Sequence, residues 1–215
     1  MSMPALTQNV VETKSANSIQ VSSFDQTVYQ DSFSAMSQFA TQRTGDELDQ
    51  IWLLQHSPVY TLGTACQMDT LLPSDIPVVE SDRGGQITYH GPGQIIMYPL
   101  LKLKHHGLGI KALVAALEQS VIDTLSEYQI VGERRQDAPG VYVDGEKIAA
   151  LGLRIRKGTS YHGLSFNIDM DLSPFNNIDP CGYQNLRVTQ LSNLVEGVSL
   201  EDARERLLRN FVALI

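Results

Sequence analysis

"RGGQITYHGPGQIIMYP", residues 83–99, interrupts an apolar strand pattern twice. Gly84-Gly85 and the triplet Gly91-Pro92-Gly93 bracket the short run QITYH, and the pattern resumes as QIIMYPLL over 94–101. Paired breaks of this kind read as turns at both ends of a strand. Glycine also removes side chains, so a ligand can lie close to the backbone. Turns alone do not call for Arg83, Thr88, Tyr89 and His90 in the same stretch, so these residues also read as one wall of a binding site. The segment lacks both Walker A and GxGxxG spacing, and no nucleotide site is signalled.

On either side of this stretch the chain reads as many strands and few helices. Short strands are expected at 19–23, at 49–63 with a break at Ser57-Pro58, and at 76–81. A helix is expected over 31–43, opened by Asp31, and the clearest helix over 112–128, with Leu113, Leu117, Ile122 and Leu125 near one face. Residues 140–156 form a hairpin pattern around Asp144-Gly145, a pair suited to a type I′ turn. Another strand follows over 159–170. The chain closes on an amphipathic helix, 199–215, with Ser199 and Asp202 in a capping pattern. Strict strand–helix alternation is absent, so the expected class is α+β, a mixed or antiparallel sheet with flanking helices.

The 215 residues suit one sizeable domain, expected over 19–215 after a polar tail, 1–18, expected to be disordered. That tail has no signal-peptide pattern. Sixteen Lys and Arg against 24 Asp and Glu leave a formal charge of −8, which argues against nucleic-acid binding. No run reaches the ~20 apolar residues of a membrane span. Two cysteines make no disulfide framework, so a reducing, cytoplasmic location is expected. No HxH, HExxH or CxxC spacing suggests a metal, and no cofactor is expected.

Four features carry possible chemistry. Cys181, in DPCGYQN, sits between proline and glycine on an irregular loop, where a thiol suits nucleophilic attack better than packing; an incidental thiol is the competing reading. Cys66, in GTACQ, follows a strand without a surrounding motif and reads as structural. Lys147 follows the hairpin turn at the start of an apolar strand, where burial makes it a candidate base and exposure an ordinary hairpin lysine. His90 and His162 share strand–glycine contexts, and either is a candidate partner for Cys181. The basic run Arg154-Ile155-Arg156-Lys157 reads as the outer face of a strand, or as a docking patch for an acidic carrier.

Taken together, HSPVYTLG, RGGQITYHGPGQIIMYP, APGVYVDGEKIAALGLRI, YHGLSFNID and DPCGYQN, in that order, resemble the octanoyltransferase family of lipoate synthesis. The resemblance spans about residues 45–192 and departs slightly at Ser165, where the family more often has alanine. It implies a fold similar to biotin protein ligase and lipoate-protein ligase catalytic domains, with Cys181 and Lys147 as the catalytic pair. It also implies an acyl-binding set: Arg83, Gly84, Gly85, Gln86, Ile87, Thr88, Tyr89, His90, Ala150, Leu151, Gly152, Gly163, Leu164 and Ser165. The implied donor is octanoyl-acyl carrier protein. The implied acceptors are lysines on lipoyl domains of 2-oxoacid dehydrogenases and on the glycine cleavage H protein. An ATP-dependent ligase of the same fold and a cysteine thioesterase are the alternative activities. A noncatalytic module binding an acyl carrier is the alternative outside enzymes.

Overall fold

The computed structural model describes residues 7–13, 17–44, 47–66, 74–136, 138–178 and 187–215. In chain order the strands are β1 (Thr7–Glu12), β2 (Ser18–Thr27), β3 (Asp49–His56), β4 (Val59–Leu62), β5 (Val78–Glu80), β6 (Ile87–His90) and β7 (Gln94–Leu100). They continue with β8 (Glu133–Arg134), β9 (Gly140–Val143), β10 (Glu146–Arg156) and β11 (Thr159–Asn167). The helices are α1 (Tyr29–Gln42), α2 (Ile110–Glu127) and α3 (Leu200–Val212).

Eight strands form one sheet in the order β1-β2-β3-β7-β11-β10-β9-β8, and β5-β4-β6 form a second. In the large sheet only β2 and β3 pair in parallel, so it is mixed, as expected. β7 is buried at every position because both faces are covered, which explains its uninterrupted apolar run. Ile95 and Met97 face Leu113, Leu117 and Val121 of α2, with Leu207 and Phe211 of α3 in the same core. Ile96 and Tyr98 face Met36 and Ala40 of α1. Period-2 alternation along a central strand thus feeds two separate cores.

The hairpin between β9 and β10 turns at Asp144 (φ 49°) and Gly145 (φ 83°), as the type I′ reading requires. A second turn of the same hand, at Lys157 (φ 49°) and Gly158 (φ 77°), joins β10 to β11. Ser199 caps α3, its hydroxyl accepting from the Asp202 N–H.

Two expectations are corrected. Residues 7–12 of the supposedly disordered tail pair antiparallel with β2 along their whole length. An edge strand needs partners for its backbone rather than an apolar face, and these side chains are almost all exposed, so polarity concealed it. α1 starts at Tyr29 rather than after Asp31. Tyr29 is buried and fixes the entry, while Asp31 lies inside the first turn, where a carboxylate suits the helix dipole.

Candidate active site

The two sheets enclose a cavity of about 330 Å³, at the small end of the range for ligand sites. Its floor is the α1-side face of the large sheet. There Ile96 and Ser165 pair across β7 and β11, and Ser165 and Ala150 across β11 and β10. Gly163 and Gly152 form the next row. Its opposite wall is the segment 83–88 leading into β6.

The twice-broken strand now has a physical explanation. The Gly84 N–H donates to the Leu153 carbonyl at 3.1 Å, laying the glycine pair against β10. A Cβ on Gly152 would stand 2.8 Å from the Gly84 carbonyl oxygen, so a side chain at 152 would push the wall away. Arg83 holds that wall from behind. Its Nε donates to Thr61 Oγ1 at 3.0 Å, its Nη2 to the Thr61 carbonyl at 2.6 Å, and its Nη1 to the Gly84 carbonyl at 3.0 Å. These bonds tie β4 to the glycine pair.

Lys147 stands at a β-bulge near the start of β10 and is only 5% exposed. Its ammonium donates to the Pro139 carbonyl at 3.3 Å and lies 5.4 Å from the Tyr142 ring centroid. Gly140 makes room for it, because a Cβ there would approach Lys147 Cε at 3.1 Å. Lys147 also anchors the chain that returns after residue 186. Its N–H donates to the Arg187 carbonyl, and its carbonyl accepts from the Thr189 N–H, both at 2.9 Å.

Above the floor stands a group of buried rings. Tyr29 stacks on His90 at 6.1 Å, and His56 meets both Tyr29 (5.2 Å) and His90 (5.7 Å) edge-on. Burial pushes the His56 imidazole down to about 4, overriding its backbone bond to Thr27. Burial, reinforced by His56, pushes His90 well below the usual histidine range. Burial lowers His162 too, although the Asp82 carboxylate, 2.9 Å from Nε2, pulls the other way. Burial would raise Asp82, but hydrogen bonds from His162 and Tyr161 outweigh it and hold the acid low. All three rings are therefore neutral at pH 7. His162 is also strained, with φ at 57° inside a strand.

Of the positions that the family resemblance implies for acyl binding, Arg83 through Thr88, His90, Ala150 through Gly152, and Gly163 through Ser165 line this one cavity, and Lys147 joins them. Tyr89 does not: β6 turns it to the other side, against Tyr60 and Phe175. Cys181 lies outside the described residues. Cys66 is half-buried and packs beside the Tyr60 cluster. Sequence reasoning missed Tyr29, Tyr98, Asn167 and Val188 as lining residues. Asn167 follows YHGLSF directly and was within reach of the motif; nothing local marks Tyr29.

The chain matches the family model described as the lipoyl protein ligase A/B catalytic domain over residues 28–212. An octanoyltransferase of Cellvibrio japonicus is 54% identical over 185 residues, 85% of this chain and 86% of the relative. In fold the chain is similar to a bipartite lipoate protein ligase of Thermoplasma acidophilum (TM-score 0.68, 15% identity, covering 90% of this chain and 81% of that one). It is also similar to a biotin protein ligase of Aquifex aeolicus solved with biotin and ATP (TM-score 0.57, 14% identity, covering 89% and 68%).

Proposed function

We propose that this chain, which belongs to the lipoyl protein ligase A/B catalytic domain family and is an acyltransferase like its octanoyltransferase relatives, carries an octanoyl group on Cys181 from octanoyl-acyl carrier protein to a lysine of a lipoyl domain. The observation that carries this reading is a slot floored by small residues with one buried ammonium, Lys147, in its wall. Connectivity supports Cys181 as the acyl carrier. It follows Ile178 by three residues, a reach of at most about 10 Å, and precedes by six the Arg187 that Lys147 holds.

The Cys181 thiolate attacks the donor carbonyl. A new C–S bond forms, the bond to the carrier sulfur breaks, and the carrier thiolate takes a proton from the Lys147 ammonium. A free thiol is only a few per cent ionised at pH 7, and the neighbouring ammonium favours the anion. Neutral Lys147 then takes a proton from the incoming lysine, whose ordinary pKa of about 10.4 leaves it protonated. The freed amine attacks the acyl-enzyme, a C–N bond forms, and the C–S bond breaks to return the Cys181 thiolate. The amine's second proton leaves to solvent. Backbone N–H groups at Cys181 and Gly182 are proposed to receive the oxyanion. The donor is already activated, so no ATP is consumed. The apolar wall lies against the alkyl chain, with Ala150 to Gly152 and Gly163 to Ser165 as its floor.

Intact-protein mass after mixing with octanoyl-acyl carrier protein tests this directly. The expected result is one octanoyl group, absent in Cys181→Ser and present in Cys66→Ser. Acylation of Cys66 alone overturns the assignment. Activity on free octanoate that requires ATP points to a ligase, and octanoate release without a lipoyl domain to a thioesterase.

A further inference from the structure

Three hydrogen bonds in series run across the back of the cavity and end on a bare nitrogen. The Asn167 side-chain amide donates to the Thr189 carbonyl at 3.0 Å. That direction leaves Asn167 Oδ1 to accept from Gln94 Nε2 at 2.9 Å. Gln94 Nε2 also donates to the Tyr89 carbonyl, at 3.3 Å, which fixes the same orientation independently. Gln94 Oε1 is then an acceptor, so His90 Nδ1, 2.7 Å away, must carry the proton. A neutral imidazole with its proton on Nδ1 has a lone pair on Nε2. Among the described residues Nε2 has no hydrogen-bond partner, although the side chain is more than nine-tenths buried and lines the cavity. His162 offers no equivalent, because its remaining nitrogen, Nδ1, is fully enclosed by protein.

The geometry points to His90 Nε2 as a hydrogen-bond acceptor for the N–H of the incoming lysine amine, orienting it for attack on the acyl group. This rests on the octanoyl transfer proposed above. In that reaction the alkyl chain, carbonyl and sulfur of the acyl thioester carry no donor; the amine does. The position suits the task. The series of bonds starts at Thr189, whose own N–H is bonded to the Lys147 carbonyl, so acceptor and ammonium are held by one frame. Tyr29 and His56 pack on the ring, and the Arg83 guanidinium favours its uncharged form. His90 therefore takes a hydrogen bond, not the proton, which goes to Lys147.

Two measurements test this. In ¹⁵N-histidine-labelled protein at pH 7, NMR is expected to find His90 neutral, with Nδ1 protonated and Nε2 bare; the opposite tautomer overturns the proposal without any assay of activity. Single-turnover mass spectrometry then separates the steps. His90→Asn keeps a donor for Gln94 but removes the far acceptor. Transfer to the lipoyl domain is expected to slow about 10–100-fold more than formation of the acyl-enzyme, the worth of one bond to the positive charge that develops on the attacking nitrogen. His90→Gln, whose longer amide reaches the Nε2 position, is expected to recover part of that loss. Wild-type transfer by the asparagine variant, or equal loss of both steps, refutes the role. A wild-type protein that never becomes acylated instead sinks the octanoyl-transfer reading beneath it, and this role with it.

Discussion

Replacing Arg83 with lysine tests whether this residue holds the cavity wall or touches the substrate. Arg83 is 7% exposed, and its guanidinium fork reaches Thr61 and Gly84 at once. An ammonium on a single stem can serve one of those ends but not both. Arg83→Lys therefore loses at least two charge-assisted bonds of about 1.5–3 kcal/mol each, and leaves buried carbonyl oxygen without a donor. Partial relaxation brings the expected loss to about 3 kcal/mol. For a chain of this size that lowers Tm by roughly 6–12 °C. Differential scanning calorimetry measures this, and single-turnover acylation measured well below the new Tm reports whether the slot still fills. The expected outcome is a large fall in Tm with acylation slowed in proportion to the loosened wall. A Tm within about 2 °C of wild type together with lost acylation refutes the reasoning, because the guanidinium would then be acting on the substrate.

Three further outcomes are expected. Lys147→Arg keeps the positive charge but cannot give up its proton at accessible pH, so acylation should slow, the carrier thiolate taking its proton from solvent, and the acyl-enzyme that forms should stall before transfer; normal transfer refutes Lys147 as the base. His56 binds a proton near pH 6.5 when unfolded but only near 4 when folded. Between those values the unfolded chain holds the extra proton, so stability is complete above pH 6.5 and falls by about 3 kcal/mol as pH drops to 4. Urea melts at pH 7 and pH 5 should show this, with the difference reduced in His56→Gln. Arg154 and Arg156 are both exposed, on the face of β10 opposite Ile155. Charge reversal at Arg156 and Lys157 should raise KM for the proposed carrier, if it is acidic, and flatten its salt dependence; an unchanged KM makes this an ordinary solvated face.

Local chemistry made much of the architecture legible. The glycine breaks around QITYH, the Asp144-Gly145 turn and the Ser199 cap each act within a few residues, so a single sequence displays them. The long motifs also pointed to one cavity, because the stretches beginning at Arg83, Ala150 and Gly163 meet there. Alternation along a strand says that two faces differ, but not what stands opposite each. Tyr89 and His90 are neighbours in sequence, and only the packing of β6 sends one to the Tyr60 cluster and the other to the cavity. Strand β1 was hidden for the converse reason: backbone pairing stabilises it, and pairing leaves no side-chain signature.

The sequence by itself determined the family, the mixed-sheet class and the candidate pair Cys181 and Lys147, because long motifs and turn chemistry are written in consecutive residues. Tertiary structure alone decided that Arg83 turns its donors onto Thr61 and Gly84, and that the protons of His90, Gln94 and Asn167 run in one direction toward Thr189. Those assignments depend on hydrogen bonds between groups up to 73 residues apart, each of which has several acceptors or donors open to it in the unfolded chain. Folding removes the alternatives, since a buried polar group must pair with whatever the packing brings within reach.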